Sequence, residues 1–180
     1  SYWLLRATPA ATGTSAPRAV EHQPSDVMRG FAVRNHGPDG SLRSEVRGQE
    51  ARRFIDDGSL EMDHARIRAI SDAGVLTTAE ADRVWTDADH TQYVLQGNAV
   101  VVRHAARLPP AQVLERLEFR GDHLQVFTHE RRVVSEQPVL LIRGAHRITA
   151  QRLDWADTER VAQLTGRVRA LLATTRPQGN

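Results

Sequence analysis

The stretch Tyr93-Val-Leu-Gln-Gly-Asn-Ala-Val-Val-Val-Arg103 carries four valines, with Tyr93 and Leu95 on one side and Gln92 and Gln96 on the other. Successive side chains of extended backbone point to opposite faces, so a period of two marks a half-buried strand. The pattern recurs elsewhere. Leu117 and Phe119 alternate with Glu118 and Arg120, Leu124 and Val126 alternate with His123 and Gln125, and Val139 and Leu141 share a side. Turn signals punctuate the chain about every ten residues: Gly37-Pro-Asp-Gly40, Asp56-Asp-Gly58, Ser71-Asp-Ala-Gly74, Asp87-Ala-Asp89, Gly97-Asn98, Leu108-Pro-Pro110, Gly121-Asp122, Pro138 and Ala156-Asp157. Short strands at that spacing predict an all-β sandwich or barrel.

Two segments are rich in helix formers, 79–85 and 150–164. A repeat argues for strands there instead. Laying 81–100 on 150–169 without a gap matches Ala81 with Ala150, Arg83 with Arg152, Leu95 with Leu164 and Gly97 with Gly166. Both copies read as strand, acidic turn, then a strand ending in Leu-x-Gly. Two copies of one hairpin are more coherent than two unrelated helices.

Composition narrows the function classes. The 180 residues contain no cysteine, which excludes disulfides, zinc–thiolate sites, iron–sulfur clusters and thiol catalysis. All 24 basic residues are arginine, against 22 acidic residues, for a net charge of +2. The arginines are scattered, with no run longer than Arg52-Arg53 or Arg131-Arg132, so no nucleic-acid arm is expected. None of the eight histidines forms His-x-His or His-Glu-x-x-His, and there is no Gly-x-Ser-x-Gly elbow or phosphate loop. Neither a cofactor, a metal nor a catalytic residue is expected. The best metal candidate, Asp87-Ala-Asp-His90, reads first as a turn whose aspartate accepts backbone N–H groups. Arg47, Arg52, Arg53, Arg66 and Arg68 read as solvated strand faces, with an anion-binding rim as the sharper alternative.

Residues 7–25 are rich in Ala, Thr, Ser and Pro without periodicity, and read as a flexible linker. Ahead of them, Ser1-Tyr-Trp-Leu-Leu-Arg6 has the apolar-aromatic, basic-flanked character of the interfacial end of a membrane helix. The expected organisation is an anchor end and linker over 1–25, a domain over 26–173, and a disordered tail over 174–180.

The motifs in order carry a resemblance. Val27-Met-Arg-Gly-Phe31 opens it. Asp39-Gly-Ser-Leu42 follows, with Ala51-Arg-Arg-Phe54 and Asp56-Asp57. Next come Ala81-Asp-Arg83 with Trp85, the Tyr93 to Arg103 stretch, Pro138-Val139, and Leu164-Thr-Gly-Arg-Val-Arg169. Together they resemble the LptC family, the bitopic periplasmic component of the lipopolysaccharide exporter in the OstA-like group. The resemblance covers about four-fifths of the chain. It implies an open, twisted antiparallel β-jellyroll that is not an enzyme. An N-terminal helix would anchor this periplasmic domain in the inner membrane. The domain would receive lipopolysaccharide from the LptB-LptF-LptG ABC transporter at its N-terminal edge, near 27–33, and pass it to the bridge protein LptA at its C-terminal edge.

Acyl chains need a continuous apolar trough, because each buried CH₂ is worth about 0.8 kcal/mol. The inner set of such a jellyroll would be Phe31, Val33, Leu42, Val46, Leu60, Met62, Ile67, Tyr93, Leu95, Val101, Leu124, Val126, Val139 and Leu141. The same residues would equally fill an ordinary sandwich core. The final strand, expected over 163–172, would present Leu164, Gly166 and Val168 inward as the partner-docking edge. Two other readings stay open: a soluble LptA-like bridge, and a jellyroll enzyme or carbohydrate-binding module.

Overall fold

The computed structural model describes residues 22–174. Ser1 to Arg6 and most of the expected linker and tail lie outside the described residues. The chain is all strand: β1 (Pro24–His36), β2 (Leu42–Phe54), β3 (Leu60–Ile70), β4 (Leu76–Thr86), β5 (Gln92–Arg103), β6 (Ala106–Leu108), β7 (Gln112–Leu114), β8 (Leu117–Phe127), β9 (Arg132–Ser135), β10 (Val139–Arg143), β11 (His146–Ala150), β12 (Arg152–Ala156), β13 (Val161–Thr165) and β14 (Arg169–Leu171). The first strand begins at Pro24, two residues before the expected domain start at Asp26. Both segments rich in helix formers are strands, as the repeat predicts.

One antiparallel sheet runs β1-β2-β3-β4-β5-β8 and then divides. The 139–143 strand continues from the first half of β8 through β11 to β14, while the 132–135 strand continues from its second half through β12 to β13. The long strands β1 to β5 and β8 also change at mid-length. Register breaks fall between Glu80 and Arg83 on β4 and between Gln96 and Ala99 on β5 and β8. Left-handed backbone appears at Gly30, His64, Gly97, Asn98, Gly166 and Arg167. These positions form a crease across the whole sheet, which folds it into two facing leaves.

The crease corrects three sequence expectations. Gly97-Asn98 and Gly121-Asp122 are not chain reversals but lie inside β5 and β8. The positive φ at Gly97 (+75°) and Asn98 (+48°) supplies a bulge that bends a strand without ending it. The final strand is likewise not continuous over 163–172. Gly166 (+73°) and Arg167 (+43°) break it into β13 on one leaf and β14 on the other, leaving Gly166 and Val168 outside either ladder.

Because the leaves converge at the crease, the row lining the vertex is small. Ala65 pairs with Ala81, and Ala99 with Gly121, then Val139 with Ala150. A side chain on Gly48 would stand 2.7 Å from the Phe31 ring, and one on Gly121 would stand 3.0 Å from the Pro138 carbonyl oxygen. The same logic explains the repeat. Ala81 and Ala150 occupy the vertex row, and Gly97 and Gly166 the crease, so the two hairpins are structurally equivalent.

Candidate functional site

Register assigns the inner faces. On one leaf Met62, Val84, Leu95 and Leu124 are mutual cross-strand neighbours, followed toward the open side by Leu60, Thr86, Tyr93 and Val126. On the other leaf the corresponding row is Val33, Val46, Ile67, Ala79, Val101, Phe119, Leu141 and Ile148. All fourteen sequence-derived candidates fall on these inner faces. Twelve join one packed cluster. Leu42 is half-buried at the open side, and Val33 is 51% exposed on the edge strand β1.

The interior is not filled. A cavity of about 700 Å³ lies between the leaves, lined among others by Val46, Ile67, Ala79, Tyr93, Val101, Phe119 and Val126. A close-packed core leaves few voids larger than a water molecule, whereas ligand sites measure roughly 300–1,000 Å³. The set therefore divides. Met62, Leu124 and Leu141 are buried packing away from the cavity, while Val46, Ile67, Tyr93, Leu95, Val101 and Val126 face it. Burial pushes the Tyr93 phenol up, so it stays neutral there.

Three lining features escape the sequence analysis. Trp155 packs on Phe119 from the opposite leaf, with ring centroids 5.2 Å apart. The Arg103 guanidinium lies 5.6 Å from the Trp155 ring and donates to Asp157, pinning the leaves on this side. The β6–β7 hairpin, read from Leu108-Pro-Pro110 only as a turn, contributes Leu108 and Leu114. Phe119 shares an alternating face with Leu117, and Trp155 stands two residues from Leu153. Period two carries that signal, but no local pattern says that the two rings meet.

The sharper reading of Arg47, Arg52 and Arg66 as an anion rim is corrected by their partners, while Arg53 and Arg68 carry no ion pair among the described residues. Arg52 holds Asp63 bidentately at 2.8 and 2.9 Å, Arg47 pairs with Glu45, and Arg66 with Glu80. These are outer-face ladders. The Asp63 carboxyl is held below its usual range by Arg52. Glu45 is drawn down by hydrogen bonds from Arg34 and Arg47. Burial pushes the Glu118 carboxyl up, but bonds from Arg120 and Arg116 outweigh it and hold it low. Asp87 accepts the N–H groups of Thr91 and Gln92 at 2.8 and 2.9 Å, so its turn role is structural. Among the described residues, His22, Asp56 and Asp57 are the group close enough to share a cation. All three are exposed, with His22 bonded to Asp56 and Asp57 accepting the Ser59 N–H.

Two leaves with an apolar, unfilled interior, unpaired at both lateral edges among the described residues, form an open jellyroll. The family model for lipopolysaccharide-assembly, LptC-related proteins matches residues 1–173. The chain belongs to the LptC family. LptC-family proteins are non-enzymatic periplasmic components of lipopolysaccharide transport, and this chain shares that role. Among solved structures it is similar to LptH of Pseudomonas aeruginosa, described as the LptA-homologous periplasmic component of the conserved lipopolysaccharide transport device. The match has a TM-score of 0.55 and 13% identity, and covers 84% of this chain and 96% of that one. At that identity the likeness speaks for the fold, the OstA-like jellyroll. No curated protein matches the sequence. No helix among the described residues is long and apolar enough to cross a membrane.

Proposed function

We propose that this LptC-family domain holds the acyl chains of lipopolysaccharide between its leaves, taking the lipid from the LptB-LptF-LptG transporter and passing it to LptA. The observation that carries the reading is the 700 Å³ apolar cavity between two inner faces that a filled sandwich would have packed. Both edges support a relay. At one end β1 pairs with β2 alone among the described residues, and Met28 and Val33, on inner-face rows, are about half exposed. At the other end, among the described residues, β13 pairs with β12 alone and β14 with β11 alone. A strand added at either edge would gain main-chain hydrogen bonds and extend the trough into the neighbouring domain. The transporter's periplasmic domain would meet β1, and LptA would meet β13 and β14, with Leu164 facing inward at the joint. Tyr2-Trp-Leu-Leu5 with Arg6 supports tethering to the inner membrane ahead of the linker.

Strand parity supplies the test. Photocrosslinking side chains at Ile67 and Val126 should label with lipopolysaccharide, and those at Arg68 and Gln125, one residue away on the outer faces, should not. Equal labelling at inner and outer positions would refute the groove. Truncation after Arg160 removes β13 and β14 and leaves β12 paired to β9 and β11 to β10; it should abolish LptA pull-down. Val168→Pro touches no ladder and should leave docking intact. Fractionation of the full-length protein as a soluble periplasmic species would overturn the tether.

A further inference from the structure

Five turns among the described residues share one form. In each the N–H of the fourth residue donates to the carbonyl of the first, and the fourth residue has left-handed backbone: Gly40 (+76°), Gly74 (+78°), His90 (+55°), Arg131 (+49°) and Arg160 (+52°). Left-handed backbone crowds the Cβ of any L-residue, and glycine relieves it. Two of the five positions carry arginine, and their turns are neighbours. Thr128-His-Glu-Arg131 and Asp157-Thr-Glu-Arg160 are tied by the Asp157 N–H donating to the Arg131 carbonyl at 2.9 Å.

These turns sort charge by position. Arg131 and Arg160 line the apolar cavity between the leaves. Glu130 and Glu159 instead line a separate recess with Val161 and Gln163. The other charged groups at the cavity are matched, Arg103 with Asp157 and Arg132 with Asp154. Among the described residues Arg131 and Arg160 have no carboxylate within ion-pair distance. Of the eight arginines without an ion pair among the described residues, Arg131 and Arg160 are the two that line the apolar trough, and both stand on backbone that disfavours them.

We infer that Arg131 and Arg160 form a phosphate clamp, binding the anionic headgroup of an amphiphile whose acyl chains lie between the leaves. The inference rests on the groove reading and assigns its polar end. Arginine suits the task because its planar fork takes phosphate oxygens in pairs and keeps its charge at every relevant pH. The backbone link between the turns fixes the spacing of the two side chains' origins.

The test titrates wild type and an R131Q/R160Q double variant with three probes: diphosphorylated lipid A, dephosphorylated lipid A, and the neutral apolar dye 1-N-phenylnaphthylamine. Wild type should prefer the phosphorylated lipid, and the double variant should lose that preference by about tenfold per arginine. Dye affinity should not change, and Arg68→Gln, on an outer face, should keep the preference. An R131G/R160G variant should lose the preference equally while melting about 2–4 °C higher per site, which separates the effect from unfolding. Unchanged preference in both double variants would overturn the clamp alone. Pyrophosphate binding as tight as the phosphorylated lipid would make this a free-phosphate site and overturn the headgroup assignment. Failure of wild type to bind either lipid or the dye would refute the groove together with the clamp.

Discussion

Substituting Gly97 by alanine tests whether the crease is a built feature of the fold. Gly97 has φ +75°, and an added methyl would stand 2.7 Å from Asp82 Oδ2 and 3.1 Å from Asp82 Cβ. The Asp82 carboxylate also accepts the Asn98 side-chain amide at 2.8 Å. Gly74 is the matched control, with φ +78° and nothing within 4 Å of the added methyl. Left-handed backbone costs an L-residue about 1–2 kcal/mol, so Gly74→Ala should cost that much and no more. Gly97→Ala carries the same strain. In addition Asp82 must leave its rotamer, at about 0.5–1.5 kcal/mol, and the Asn98 bond is lost, at about 0.5–1.5 kcal/mol. The expected cost is therefore about 2–5 kcal/mol. Urea denaturation reads the difference as a lower midpoint at constant slope. If Gly97→Ala proves no more costly than Gly74→Ala, the close crossing at the crease contributes nothing, and the two-leaf account of the repeat fails with it.

Three other outcomes follow from packing and charge. Ala79→Leu faces the cavity and should change stability by less than about 1 kcal/mol, whereas Ala99→Leu, in the vertex row and 1% exposed, should cost about 1–3 kcal/mol by calorimetry. Val126→Phe should fold normally yet lower lipopolysaccharide binding, measured by the Ile67 crosslink, because it fills space and not core. The Glu118 carboxyl is depressed in the folded state, so it contributes stability above the ordinary glutamate value of 4.5 and loses it as pH falls through its lower folded value. Glu118→Gln should cost about 1–3 kcal/mol at neutral pH, since its arginine partners are half exposed, and should flatten the acid limb of stability against pH.

Which residues face inward was legible from the chain alone, because in extended backbone side-chain direction is a property of parity. Leu95, Val101 and Val126 needed no tertiary information, and neither did the equivalence of the hairpins that share Ala81 with Ala150. Parity does not report where a strand bends. Gly97-Asn98 has the composition of a reversal, and only the unbroken pairing of β5 with β4 and β8 on both sides makes it a crease. The crease in turn decides that the inner residues face each other across a space, and that Trp155 meets Phe119. Charge followed the same division. The sequence supplies 24 arginines, but which carboxylate meets an arginine on a neighbouring strand depends on register. Arg52 is taken up by Asp63 eleven residues away on the next strand, while Arg131 and Arg160, in adjacent turns at the cavity, have no carboxylate partner among the described residues. Composition fixed how many cations there are. The folding of one sheet onto itself decided which of them remain for a ligand.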